Sequence, residues 1–216
     1  ITARSTVSAN TTAAATAVAT DVLARPGART LALFGCGEQA RTHLDAVTRV
    51  RHFTEVLVWG RDAGKAQAFC EAADTRLPIR AVSLEEAATA DVLCLLTGAQ
   101  EPYFKGAWLR PGQHLNAVGS SIPTTAEVDE ETVARSRYFT DYRDSALALA
   151  GELKRAGDRR LLGEVGEVIL GRLTGRTGPG DITFFKSLGM AAEDLLSADL
   201  VLKAAEACDV GLVVDW

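Results

Sequence analysis

Six residues, Gly35-Cys36-Gly37-Glu38-Gln39-Ala40, form a G-x-G-x-x-A pattern directly after the apolar run Thr30-Leu31-Ala32-Leu33-Phe34. Between a strand and a helix, each small residue in such a pattern has a task. Gly35 permits the tight turn, Gly37 lets a pyrophosphate approach the backbone, and Ala40 lets the helix pack closely on the sheet. Glu38 and Gln39 then open a helix whose free amides and positive dipole end face the phosphates. The chemistry this points to is dinucleotide binding.

A second run, Glu55 to Trp59, ends in Gly60-Arg61-Asp62. A cation at this place suits the 2′-phosphate of NADP, whereas an acid accepts hydrogen bonds from the bare ribose of NAD. Arg61 matches a phosphate in bidentate geometry. Asp62 is the competitor, with a second role open to it as N-cap of a helix from Ala63. The reading favours NADP, with NAD as the alternative. Two further segments, Thr97-Gly98 and Asn116-Ala117-Val118-Gly119-Ser120-Ser121, close later strands and should flank the nicotinamide. Ser120 and Ser121 read equally well as site residues or as turn residues ahead of Pro123. His43, His52 and His114 stand away from the carboxyl ends of the strands, His114 at a strand's start, and no spacing of ligands suits a metal.

The elements that must position these residues alternate. Residues 3–24 read as one helix, ended by Pro26-Gly27. Strands are expected over 30–34, 55–59, 79–82, 91–96, 114–118 and 138–140, and helices over 38–51, 63–73 and 126–135. Ser83-Leu84-Glu85-Glu86 carries the signature of a capping box at the start of another helix. Such alternation implies parallel strands joined by right-handed crossovers, an α/β Rossmann-type doubly wound sheet. The expected division is a lead-in helix over 1–27, a dinucleotide-binding core over 28–145 and a C-terminal extension over 146–216. The extension has helices at 145–154 and 190–208, and could fold back on the first helix as a second, smaller unit.

Composition narrows the class. With 216 residues, 47% hydrophobic and 24% charged, the chain can bury a core without disulfides. A net charge of −5 with no basic block argues against nucleic acid as the main partner. No apolar stretch is long enough for a membrane span, and none reads as a secretory signal. Four scattered cysteines suggest buried thiols in a cytoplasmic protein. The chain starts at Ile1 and its sole methionine is Met190, which suggests a piece of a longer protein with part of its site upstream.

Leu33 to Ala40, Trp59 to Asp62, Asn116 to Gly119 and Phe185-Lys186-Ser187-Leu188-Gly189-Met190-Ala191, followed by Glu193-Asp194, together resemble the ornithine cyclodeaminase/mu-crystallin family. The resemblance runs over essentially the whole chain, and Ile1 to Ser5 is similar to the family's stretch leading into its nucleotide domain. It implies that Arg4 and Ser5 touch the cofactor phosphates. Gly35, Gly37, Glu38 and Gln39 would form the pyrophosphate turn, and Arg61 the adenosine end. Thr97, Val118, Ser187 and Leu188 would line the nicotinamide and substrate. Cyclodeaminases carry a catalytic Asp at the position of Ser121; here it is Ser, as in the mu-crystallin-like branch. Ser121 is thus the catalytic and substrate position, and Thr125 stands where a cyclodeaminase has a cofactor-contacting Lys.

The resemblance implies NADP-dependent reduction of a C=N bond in a small imino acid, a cyclic ketimine such as pyrroline- or piperideine-2-carboxylate. The alternatives are an NAD-dependent lyase converting ornithine to proline and ammonia, and a non-catalytic binder of NADPH and a small ligand. The family's additional N-terminal segment supplies a dimer interface, a substrate-binding Arg and a general-acid Lys. A homodimer through that segment is therefore expected, with both terminal helices belonging to the second, largely missing domain.

Overall fold

A computed structural model describes residues 2–212. The elements run α1 Thr2–Leu23, β1 Thr30–Phe34, α2 Glu38–Thr48, β2 Glu55–Trp59, α3 Ala63–Ala72, β3 Ile79–Ala81, α4 Leu84–Ala87, β4 Val92–Leu95 and β5 His114–Ala117. They continue as α5 Glu130–Arg135, β6 Arg137–Thr140, α6 Arg143–Leu149, α7 Gly151–Ala156, β7 Leu161–Glu164, α8 Val165–Ile169, β8 Thr183–Lys186 and α9 Ala191–Cys208.

All pairings are parallel, in the order β3-β2-β1-β4-β5-β8-β6-β7. Strand neighbours are apolar on both faces because helices cover both. Phe34, Leu57, Leu93, Leu115 and Phe184 fill one side. Leu31, Leu33, Val56, Val58 and Val92 fill the other, under Leu44 and Val47 of α2 and Phe69 of α3. In α1, poor helix formers are tolerated because the Thr11, Thr12, Thr16 and Thr20 hydroxyls donate to carbonyls four residues back. Its small residues Ala13, Ala17 and Thr20 are buried, which lets the helix lie close on its neighbours.

The fold is the expected Rossmann-type sheet, with differences in its second half. The six expected strands are eight. The missed pair, β7 and β8, joins the same sheet, so the strands of the extension are part of the main layer. β8 is short and ends in a lysine, so Thr183-Phe184-Phe185-Lys186 gave no clear strand signal. The helix expected over 126–135 begins only at Glu130. Asp129 caps it by accepting from Thr132 N at 2.9 Å, while Val128 bridges to Phe104 as extended chain. The helix expected over 145–154 is two, broken at Ala150, whose ψ of 101° is extended. Ser83 does cap α4, accepting from Glu86 N at 3.2 Å, but the Glu86 carboxylate turns outward to Arg80 at 2.6 Å. Half of the capping box therefore forms.

Candidate functional site

Strand order reverses between β1 and β4, and in doubly wound sheets a crevice opens at that point beyond the carboxyl ends of the strands. Two cavities lie there, of about 720 and 640 Å³, and both are lined by Leu96, Thr97 and Gly98 at the end of β4. The first runs over Gly35, Cys36 and the Trp59–Asp62 segment. The second reaches Gln39, Val118, Gly119, Ser121, Ser187 and Leu188. The chain thus brings together the ends of β1, β2, β4, β5 and β8 around one elongated space.

The glycines have distinct causes. Gly35 has φ 122°, and a Cβ there would lie 2.8 Å from the Leu96 carbonyl oxygen. A Cβ on Gly37 would meet nothing within 4 Å, so that face is open to a ligand. Gly37 is the N-cap of α2, and no side chain caps the first turn. Gln39 Oε1 is buried without a partner. Open first-turn amides, an open glycine face and an orphaned polar atom beside the crevice fit a dinucleotide bound across the turn. Gly37 and the exposed Glu38 do not line either cavity; Gly35 and Gln39 do.

Arg61 is exposed at the rim of the first cavity, with Lys65 beside it on the same wall. Asp62 caps α3, its Oδ1 accepting from Lys65 N at 3.1 Å. The two serines separate. Ser120 is buried and shares a 2.6 Å hydrogen bond with Thr125, so both are turn residues. Ser121 is exposed and faces the second cavity. Ser187 is buried and Leu188 and Val118 are half-buried at the same wall. The side chains of Arg4 and Ser5 lie outside the described residues.

The histidines stand apart, as the sequence suggests. His43 Nε2 meets Thr16 Oγ1 at 3.1 Å and Nδ1 donates to the Gln39 carbonyl at 2.7 Å. Burial pushes its pKa down to about 4. His114, at the far end of β5, is pushed down to about 3, chiefly by burial.

Sequence reading missed a set of buried charged groups behind the crevice. Glu127 accepts from Thr97 N at 2.8 Å, Thr97 Oγ1 at 2.7 Å and Gly119 N at 2.8 Å, tying the end of β4 to that of β5. Asp141, after β6, accepts from the amides of Leu188 and Gly189 at 2.6 and 2.7 Å and fixes the turn after β8. Lys186, fully buried, donates to the Ser120 carbonyl and stands 3.6 Å from Glu152. The available signal was a charge inside an apolar run, as in Ala126-Glu127-Val128 and Phe184-Phe185-Lys186.

Glu193, in the first turn of α9, lines the second cavity, and its pKa is pushed up to about 7 by burial and then by the Asp141 charge. An acid raised in the folded state costs nothing below its unfolded value near 4.5, and destabilises as pH rises through the interval to about 7. Glu193→Gln should therefore raise stability by about 1 kcal/mol at alkaline pH, after allowing for solvent screening, and leave it unchanged in acid. Urea unfolding at the two pH values checks this; an equal effect at both contradicts it.

A family model described as "Ornithine cyclodeaminase/mu-crystallin family" matches residues 1–208. The chain is 38% identical over 196 residues to the ketimine reductase mu-crystallin of Mus musculus, covering 90% of this chain and 61% of that protein. Among solved structures, the Thermococcus litoralis Delta(1)-pyrroline-2-carboxylate reductase in complex with NADH and L-proline is 34% identical with a TM-score of 0.93, over 96% of this chain and 68% of that one. A lysine cyclodeaminase is 30% identical with a TM-score of 0.90, over 97% and 62% of the two chains. The chain thus spans about three fifths of the curated relative it matches. A match that starts at Ile1 and runs through α9, at this identity, makes the chain a member of the ornithine cyclodeaminase/mu-crystallin family.

Proposed function

We propose that the whole protein is an NADP-dependent oxidoreductase that reduces the C=N bond of a small imino acid, a cyclic ketimine such as pyrroline- or piperideine-2-carboxylate. The observation that carries this reading is Ser121 at the second cavity, at the position where the family resemblance puts a cyclodeaminase's catalytic Asp; the carboxylates that line this cavity, Glu193 and Asp194, come from α9 instead. Ring-closing deamination of a diamino acid, as the resemblance implies for cyclodeaminases, uses the Asp at that position to move protons, and Ser121 cannot replace it as an acid or base. Hydride delivery to an imine needs chiefly position and electrostatics, the hydride itself coming from the nicotinamide when bound.

In this reading Gly35 and Gly37 shape the turn, the α2 amides at Glu38 and Gln39 hold the pyrophosphate, and Arg61 takes the 2′-phosphate. Arg4 and Ser5 add phosphate contacts from α1. Thr97, Val118 and Ser187 flank the nicotinamide, while Ser121 and Leu188 face the substrate. Steady-state assays of the full-length protein with NADPH and a panel of ketimines test it. Ammonia released from ornithine without added cofactor would instead identify a lyase.

Cofactor choice has its own test. Arg61→Ala removes a charge-assisted contact worth about 1.5–3 kcal/mol, so NADPH affinity should fall roughly ten- to a hundredfold. NADH affinity should hardly change. Nicotinamide fluorescence titration measures both, and equal losses would make Arg61 structural and the NADP assignment wrong.

A homodimer and a cytoplasmic setting belong to the same proposal. On α9, Leu195, Leu196 and Leu200 are 71, 63 and 67% exposed, an apolar face of the kind that another domain or subunit covers. Sizing of the whole protein as a monomer would refute the dimer.

A further inference from the structure

Glu127 is 1% exposed, bonded from behind to Thr97, which lines both cavities. Oε1 accepts from the Thr97 amide and Oε2 from the Gly119 amide. Backbone amides only donate, so these bonds stabilise the ionised carboxylate more than the protonated acid. This geometry works toward the carboxylate form, against the burial that pushes the pKa up. The neighbouring cation, Lys186, is itself fully buried and stands 3.6 Å from a second acid, Glu152. Two buried acids thus share one buried ammonium.

The residues that Glu127 holds, Thr97 and Gly119, form the wall of the second cavity. A nicotinamide ring is neutral when reduced and positively charged when oxidised. We infer that Glu127 is a fixed counter-charge behind the nicotinamide end of the crevice, one that favours the oxidised dinucleotide over the reduced one. The inference rests on reading that cavity as the nicotinamide site. It makes Glu127 more than a brace between two strands: a brace alone would serve both forms of the cofactor equally, whereas a buried charge distinguishes them.

The test is binding, not turnover. Oxidised and reduced cofactor are titrated into the full-length protein, its Glu127→Gln variant and its Thr97→Val variant. Glu127→Gln should weaken the oxidised form roughly five- to thirtyfold more than the reduced form. Thr97→Val deletes a hydrogen bond but keeps the charge, and should weaken both forms alike. Equal losses in Glu127→Gln would overturn the inference and leave the nicotinamide site standing. Failure of the wild-type protein to bind either form would overturn both.

If the Gln variant does not fold, Glu127→Asp gives the second measurement, since it keeps the charge and shortens the arm that braces Thr97 and Gly119. Both forms should then lose affinity alike, with the preference for the oxidised form kept, and loss of that preference while the carboxylate is retained overturns the inference.

Discussion

Lys186→Met is expected to cost about 3–5 kcal/mol of folding free energy, a large share of the roughly 5–15 kcal/mol by which such domains are stable. Lys186 is fully buried at the end of β8. Its ammonium donates to the Ser120 carbonyl and faces Glu152, which is 1% exposed and donates nothing to the pair. Glu152 Oε1 accepts from Tyr138 OH at 3.0 Å, while its Oε2 has no partner. Without Lys186, Glu127 and Glu152 lose their shared cation, and the penalty is that of uncompensated buried charge rather than of one lost contact. Glu152→Gln added to Lys186→Met should recover part of the loss, because one buried acid then disappears. Urea unfolding followed by circular dichroism measures both variants against the wild-type protein. A single-variant loss below 1 kcal/mol would mean that the lysine is not the compensating charge.

Gly119→Ala is the second large effect. A Cβ there would sit 2.0 Å from the Thr97 carbonyl oxygen and 2.6 Å from the Thr97 amide nitrogen. Both atoms are backbone, so strands β4 and β5 must part at their carboxyl ends. The expected loss is about 3 kcal/mol or more, together with the Glu127 clamp and nucleotide binding. Gly98, on the same wall, has nothing within 4 Å of its own added Cβ. Gly98→Ala should therefore fold normally, and thermal denaturation of the two alanine variants separates close packing from a general dislike of side chains near the crevice.

The first half of this architecture could be read from residues 30–95 because local and global signals agree there. Each strand is a short apolar run, and each turn has its own glycine or cap. The bounds of β1 and β2 are those expected to the residue. After β5 the signals conflict. β8 is four residues long and owes its strand state to neighbours on both sides, not to its own pattern. Residues 126–129 have helical composition, yet Val128 is held extended by a bridge to Phe104, a contact 24 positions away in sequence. The crevice residues showed themselves through turn chemistry at Gly35 and Gly60, and through family resemblance at Ser121 and Ser187. Glu127, Asp141 and Lys186 did not, because a buried ion or clamp is defined by its partners, and those partners are backbone amides and carbonyls with no side-chain signature.

The place of β8 sets the order in which the molecule can be made. It lies between β5 and β6, although it follows both in sequence. Until residues 183–186 leave the ribosome, β5 has no neighbour on its outer side, and the β6–β7 pair has nothing to dock against. The nascent chain must therefore carry an open sheet edge through the synthesis of almost seventy residues, from Ala117 to Lys186. Closing it depends on contacts distant in sequence, which slows folding and leaves that edge available to other chains meanwhile. Chains that stop short of β8 should accumulate as aggregates, whereas stops within α9 should leave the sheet complete.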